Sequence, residues 1–408
     1  MPRGKKKNGE ATALMAIACN REELERALTA AARLASQKSY LPLLSHVLLV
    51  VEPPEGEYGP DNPGHGRLRI TANRLDVALE QTVYAAVESV GSITVPARLL
   101  SDYVSALSAP VVKIKQESLR QLHIEAGSDD AKIAGALAED FPPVPAVSEA
   151  SVIIQVDPNA LADGIAQVEF AASKDNTRPV LEGVLLDLDG LDLTLAAADG
   201  FRLAKTKVAL IAGVTDGPIQ AIVPAAALRD LARLLAKQEE PVNILIEHSR
   251  NLAEFKLDEA RLVCTLIAGT YPNYASLIPQ EYKTLVRART ADLRDSARLT
   301  SAFLDASSGI IRLQFLPGVN GDAGKVLVRS KGDEDVGEHH GEFEAVVEGE
   351  GLRFGVGSRY LADALQVVGR GAEEIIIDAM GPTSPVRFRV PDNDDFVVVQ
   401  MPMFVSWD

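Results

Sequence analysis

The strongest constraint on this chain is that it states one pattern three times. An amphipathic helix is read over residues 21–38, followed by Leu41-Pro42-Leu43-Leu44-Ser45-His46-Val47-Leu48-Leu49 and by alternating apolar positions over 68–83. Ile93-Thr94-Val95-Pro96-Ala97 opens a second helix, strands follow near 111–115 and 122–126, and the unit closes at Glu139-Asp140-Phe141-Pro142. The middle third gives a helix over 158–172, then Arg178-Pro179-Val180-Leu181-Glu182-Gly183-Val184-Leu185-Leu186 and a strand over 191–197. Ala221-Ile222-Val223-Pro224-Ala225 opens its second helix, and Thr270-Tyr271-Pro272-Asn273-Tyr274 closes it. The last third keeps the order, with a helix over 291–306, strands over 310–315 and 325–329, and Phe354-Gly355-Val356-Gly357-Ser358 before a helix. Pro96 and Pro224 lie 128 residues apart, Pro142 and Pro272 lie 130 apart, and Pro224 and Gly357 lie 133 apart. One Val-Pro-Ala is an ordinary strand-to-helix junction, but several landmarks at one spacing indicate three units of about 130 residues, each the size of a domain.

Composition narrows the class. With 408 residues, 47% hydrophobic and 24% charged, the chain has ample material for several cores, which excludes disordered and collagen-like classes. Cys19 and Cys264 are too few and too far apart for a disulfide framework or a Cys-rich metal site, so a reducing cytoplasm is expected. The charge-free stretch 262–280 is broken by Pro272, Asn273 and Pro279, and the N-terminal residues are basic without an apolar signal core. No membrane association is expected.

The formal charge of −16 argues at face value against a polyanionic partner. Screening over about 8 to 10 Å nevertheless lets one basic face act independently of carboxylates elsewhere. On the first helix Leu24, Leu28, Ala31 and Ala35 form a buried stripe, which leaves Arg26 and Arg33 outward. Leu228, Leu231 and Leu235 do the same in the middle unit, with Arg229, Arg233 and Lys237 recurring every fourth residue. In the last unit Leu293, Ala297, Thr300 and Leu304 face inward, and Arg294 and Arg298 share an outer face. Acidic residues gather in stretches 52–61, 187–192, 333–342 and 392–395, read as loops between strands. On any single helix such cations are ordinary solubilising charge, whereas on three equivalent helices they suggest a basic surface for duplex backbone. Aromatic residues do not interleave with the stripes, so single-strand stacking is not suggested, and no reading helix bears Asn, Gln and Arg, so sequence readout is not expected.

Catalytic patterns are weak. The six histidines, including the pair His339-His340 in an acidic loop, form no metal-binding spacing. The run from Gly318 to Val326 resembles a phosphate loop but lacks its first Gly and its Ser/Thr and precedes a strand. Asp199-Gly200 is foremost a turn. Two other classes stay open on these residues: an α+β repeat enzyme, a hydrolase using Asp199, and a repeat scaffold that binds only proteins.

The repeat, Leu41-Pro42-Leu43-Leu44-Ser45, Thr177-Arg178-Pro179-Val180-Leu181-Glu182-Gly183-Val184, Ala197-Ala198-Asp199-Gly200-Phe201-Arg202-Leu203-Ala204, Ser358-Arg359-Tyr360-Leu361 and the terminal Met401-Pro402-Met403 together resemble the bacterial DNA polymerase III β subunit, or sliding clamp, family. The resemblance implies an α+β fold of three repeated clamp domains, each with two helices packed on antiparallel sheets, at 12–146, 147–280 and 281–408, after a disordered basic tail over 1–11. It implies a non-enzymatic homodimeric ring around duplex DNA, without cofactor or metal, that tethers the DNA polymerase III α subunit, the clamp loader, other polymerases and repair proteins through a short linear motif. Lys38 and Lys174-Asp175-Asn176 would lie in DNA-contacting loops. The peptide pocket would comprise Leu181, Ala198, Gly200, Phe201, Arg202, Leu203, Pro272, Leu277, Val399, Met401, Pro402 and Met403, with Arg202 bonding peptide carbonyls. Phe201 stands where His is frequent in the family and Ser276 where a basic residue occurs. The residues after Met403 include the single Trp, Trp407, expected beside or partly within the pocket.

Overall fold

The computed structural model describes residues 14–35, 41–54, 56, 58–60, 62–148, 152–175, 177–214, 218–304, 309–319, 323–331 and 337–407. The first repeat runs β1 (Ala16–Asn20), α1 (Arg21–Leu34), β2 (His46–Glu52), β3 (Gly64–Asn73), β4 (Val77–Ser89), β5 (Ser92–Pro96), α2 (Ala97–Ala106), β6 (Val111–Ser118), β7 (Gln121–Ala126) and β8 (Asp129–Ala134). The second runs β9 (Val152–Val156), α3 (Pro158–Val168), β10 (Gly183–Asp189), β11 (Asp192–Ala198), β12 (Arg202–Val214), β13 (Ile219–Pro224), α4 (Ala225–Leu235), β14 (Val242–Glu247), β15 (Leu252–Lys256) and β16 (Ala260–Thr265). The third runs β17 (Thr284–Arg289), α5 (Thr290–Ser301), β18 (Ile310–Leu316), β19 (Gly324–Lys331), β20 (Glu338–Gly349), β21 (Leu352–Gly357), α6 (Ser358–Val368), β22 (Glu374–Ala379), β23 (Val386–Val390) and β24 (Asn393–Gln400). The order of helices and strands is the same each time.

Local chemistry explains the elements. Asn20 caps α1, its side-chain oxygen accepting the N–H groups of Glu22 and Glu23 at 2.8 and 3.3 Å. Leu24, Leu28, Ala31 and Ala35 are buried, as their spacing requires. Pro96, Pro224 and Gly357 stand immediately before α2, α4 and α6. β2 alternates buried and half-buried residues along its whole length. Cys19 and Cys264 are free and buried, and burial pushes both thiols up to about 12.

Among the described residues, contacts gather into two compact units, one within 1–151 and 237–265, the other within 152–236 and 266–408. The first contains the antiparallel order β5-β2-β3-β4-β1-β6-β7-β8. One edge of β4 is covered by β3; the other is shared between β1, opposite Ala85–Ser89, and β16, opposite residues 77–81. The second unit repeats this logic on β12, covered by β11 on one edge and by β9 and β24 on the other. From β24 the sheet continues through β23, β22, β17, β20, β19, β18 and β21. Thus the eighth strand of the second and third repeats closes on the fourth strand of the repeat before it.

Beyond its eighth strand, each repeat returns to its own fifth strand. Ala136 bridges to Thr94, Ile267 donates its N–H to the Ile222 carbonyl at 2.8 Å, and Met403 bridges to Gly355. Thr94, Ile222 and Gly355 each stand two residues before the residue preceding the repeat's second helix.

Several elements differ from the sequence reading. α1 ends at Leu34, and Lys38 lies outside the described residues. α3 ends at Val168 and tightens into a 3-10 turn over Glu169–Ala171. α5 spans Thr290–Ser301, so Leu304, half-buried, lies beyond it. Residues 68–83 fold as two strands around a turn where Leu75 takes φ +77°. Glu338 and Glu342 belong to strand β20, not to a loop. His339 there is half-buried against α5, its Nδ1 3.1 Å from Thr300 Oγ1 and its ring 5.4 Å from that of Phe303, because the strand carries it onto the helix.

Candidate functional site

The cationic stripes are real surface features. Arg26 and Arg33 are exposed on α1, opposite Leu24, Leu28 and Leu34. Arg229 and Arg233 are exposed on α4, and Lys237, also exposed, lies past the helix end at Leu235. Arg229 donates to Glu169 at 2.6 and 3.0 Å, and that bonded carboxylate holds its guanidinium above the ordinary value. Arg233 pairs with Asp230 at 2.7 Å and Arg298 with Asp295 at 3.4 Å, exposed pairs that leave the side chains available at small cost. Arg294 differs from the others: it donates to the Leu365 and Gly369 carbonyls at the C-terminal end of α6, where the helix dipole is negative. With Arg298 and Arg370 it rims a groove of about 730 Å³ between α5 and α6. Arg370 was invisible to helical phase because it lies past the last turn of α6. Lys174 is exposed, whereas Asn176, residues 1–13 and residues 320–322 lie, like Lys38, outside the described residues.

The residues expected to form a cleft converge where β12 begins and β24 ends. Asp199 makes the approach: its Oδ1 accepts the N–H groups of Phe201 and Arg202 at 2.9 and 3.0 Å. Gly200 comes next at φ +95°, a conformation that favours glycine, and the Arg178 guanidinium lies 3.5 Å from where a Cβ would stand. Met401 N–H then donates to the Phe201 carbonyl at 2.8 Å, which carries the terminal segment past the turn.

Ala198, Leu203 and Val399 form a buried cluster against which Tyr274 and Ile278 pack. Leu181 belongs to a second cluster, with Leu185, Ala196, Ile222 and Tyr271, and Tyr274 packs against both. Tyr271 Oη accepts the Ala198 N–H at 2.9 Å, and burial pushes that phenol up to about 12. Tyr274 donates to Asp187 at 2.7 Å, and burial together with this carboxylate raises it further. Over these floors the side chains of Phe201, Leu277, Met401 and Met403 are exposed, as is Pro272, while Pro402 is half-buried.

Arg202 is not the free carbonyl donor that the resemblance implies. Its side chain is 8% exposed, with Nε bonded to Asp199 at 2.9 Å and Nη1 to Asp363 at 2.5 Å. The guanidinium lies over the rings of Phe170, 5.1 Å away, and Tyr360, 4.8 Å away. Phe201 stacks outside on Tyr360 with ring centroids 6.3 Å apart. Phe170, Tyr360 and Asp363 therefore belong to the site although sequence reasoning assigned them no role there; the only signal was Tyr360 as a landmark in Ser358-Arg359-Tyr360-Leu361. Asp199 is committed to this turn and to Arg202, which leaves nothing for a nucleophile to do. Trp407 lies over the Arg353 guanidinium on β21 at 5.1 Å rather than within the apolar cluster, and Phe404 is 97% exposed. Among the described residues, no three His, Cys, Asp or Glu side chains are grouped to hold a metal, and no helix is long and apolar enough to cross a membrane.

Comparison with known proteins agrees with this architecture. Family models for the DNA polymerase III beta subunit match in order: the N-terminal domain over residues 15–145, the central domain over 155–273 and the C-terminal domain over 275–404. The beta sliding clamp of Synechococcus elongatus is 30% identical over 91% of this chain and 94% of its own. That of Pseudomonas aeruginosa is 29% identical over 95% of this chain and all of its own. The solved structure of the Pseudomonas aeruginosa sliding clamp bound to griselimycin has a TM-score of 0.86 at 28% identity, covering 96% of this chain and all of that one.

Proposed function

The chain belongs to the DNA polymerase III beta subunit family, a sliding clamp of three clamp domains and a processivity factor rather than an enzyme, and from that premise we propose how it works. Two copies close head to tail into a ring around duplex DNA. Domains at 12–146, 147–280 and 281–408 turn their helices toward the phosphates, and Arg26, Arg33, Lys38, Lys174, Arg229, Arg233, Lys237, Arg294 and Arg298 make weak, numerous, sequence-independent contacts. Weak contacts permit sliding, and a tight stripe would act as a brake. The cleft around Leu203, Val399 and Met401 takes a linear peptide from the DNA polymerase III α subunit, the clamp loader, other polymerases and repair proteins in the cytoplasm. Exposed methionines suit related but unequal peptides. A polymerase held this way stays near the primer end at high effective concentration.

The observation that carries the ring is the pairing of strand edges. β16 closes on β4 and β24 closes on β12. By the same rule β8 calls for the fourth strand of a repeat placed before the first, and β20 for the eighth strand of a repeat placed after the third. Among the described residues neither β8, beyond its pairing with β7, nor the edge of β20 facing away from β19 over Glu338–Ala345 has a strand partner. A second copy supplies what each edge lacks.

The test is loading by the cognate clamp loader and ATP onto closed-circular and linearised plasmid, followed by gel filtration. Retention on circles with loss from linear ends is expected. Equal retention on both would remove the topological reading, and no retention on either would favour a scaffold that binds only proteins.

A further inference from the structure

The tail after Met403 is, by position, the third copy of something the other two repeats possess. After the return to the fifth strand, the first repeat places a buried aromatic, Phe141, five residues beyond Ala136. The second places Tyr271, also buried, four residues beyond Ile267. Tyr271 packs in the cluster containing Ile222, the residue that receives the return, and its hydroxyl holds the Ala198 N–H. In the third repeat the return is Met403 on Gly355, and four residues beyond it stands Trp407.

The described part of the tail is held at four points. Met401 and Met403 donate their N–H groups to Phe201 and Gly355, each at 2.8 Å, and Arg312 Nε donates to the Ser406 carbonyl at 3.2 Å. Trp407 then stacks on Arg353. Gly355 is needed for this approach: a Cβ there would stand 2.6 Å from Val405 Cγ1 and 3.0 Å from the Met403 carbonyl oxygen. Where the second repeat packs Tyr271 on the Ile222 side chain, the third offers a bare backbone, and the ring moves to the neighbouring arginine.

We propose that Trp407 is a positioning residue for the peptide cleft: by closing the third repeat on β21 it pins the tail beyond Met403 and so fixes Met401 and Met403 as the cleft's methionine lip. The inference rests on the reading of that cleft as a peptide site. Without the stack, one end of the lip is free, and an incoming peptide must order the lip as well as itself.

The probe is a fluorescein-labelled ten-residue peptide carrying two leucines and a phenylalanine, aliphatic groups for the Leu203 floor and a ring for the Phe201–Tyr360 stack, titrated against the full-length protein by anisotropy. Trp407→Ala is expected to weaken binding about fivefold to tenfold with an unchanged main unfolding transition. Trp407→Phe and Trp407→Tyr are expected to restore affinity to within about twofold, because those rings serve the sister repeats. Trp407 is also the only tryptophan, so emission reports it alone, and the neutral quencher acrylamide should quench it less than free N-acetyltryptophanamide. Equal affinity of Trp407→Ala and wild type, or failure of both aromatic variants to rescue, overturns the positioning role. A wild type that binds no peptide overturns the cleft reading itself, and freely quenched emission overturns the docking of the tail.

Discussion

Asp199 and Arg202 show how much of the cleft hangs on one buried ion pair. Asp199 is 12% exposed and Arg202 8% exposed, and the aspartate also closes the turn that aims Phe201 outward. Asp199→Ala would leave a buried guanidinium with one carboxylate fewer and two backbone donors without an acceptor, so a loss of about 3 kcal/mol in urea unfolding is expected. Tyr271 gives a pH-dependent counterpart. Its phenol is raised to about 12 in the folded state from an ordinary 10, so its contribution is complete below pH 10 and is lost as pH rises from 10 through 12. The stability difference between wild type and Tyr271→Phe should therefore be constant from pH 7 to 9.5 and shrink above it; a difference that stays flat to pH 12 would refute the assignment. The Asp-Gly turn was legible because its chemistry is local. The burial of Arg202 was not, since Asp363 lies 161 residues along the chain and no pattern near Arg202 announces it.

The helices were legible where one face is apolar, and their ends were not where side chains gave no stop. Leu228, Leu231 and Leu235 of α4 are buried as read, whereas α5 stops at Ser301 although the apolar spacing runs on to Leu304. α3 carries a feature that propensity alone would misjudge. Gly164 lies in its interior, where alanine would ordinarily gain about 1 kcal/mol. A Cβ there would stand 2.5 Å from Val208 Cγ2 and 3.2 Å from Leu195 Cδ1, so the glycine sets how closely α3 approaches β11 and β12. Gly164→Ala is expected to destabilise by about 1 kcal/mol net, with overpacking outweighing the helix gain. A raised Tm would show that the strands yield more easily than the close contact implies. The return of each repeat to its fifth strand escaped the sequence reading, because a single bridge leaves no periodicity behind.

At the scale of the whole molecule, charge acts in opposite directions on the two functions. The strand edges proposed to meet are both acidic: β8 carries Asp129 and Asp130 against Lys132, which is bonded to Glu117, and β20 carries Glu338, Glu342 and Glu344. Lys325 offsets Glu342 at 3.0 Å, and His340 contacts Glu338 at 3.2 Å, which leaves a net negative edge at neutral pH. Bringing two such edges together is opposed by a repulsion that salt screens, with a reach of about 10 Å at 0.1 M and 3 Å at 1 M. The arginine-bearing helices, proposed above to meet phosphate, face the reverse case, since each such contact would displace counterions and weaken as salt rises. Raising sodium chloride from 50 to 500 mM should therefore increase the dimer fraction in sedimentation at micromolar protein while lowering affinity for a short linear duplex. Replacing Glu338 and Glu342 by Gln should flatten the first dependence and leave the second unchanged, because neither residue belongs to a basic helix face. Dissociation of the dimer by salt would mean that ion pairs across the joint, and not backbone pairing between like-charged strands, hold the two copies together.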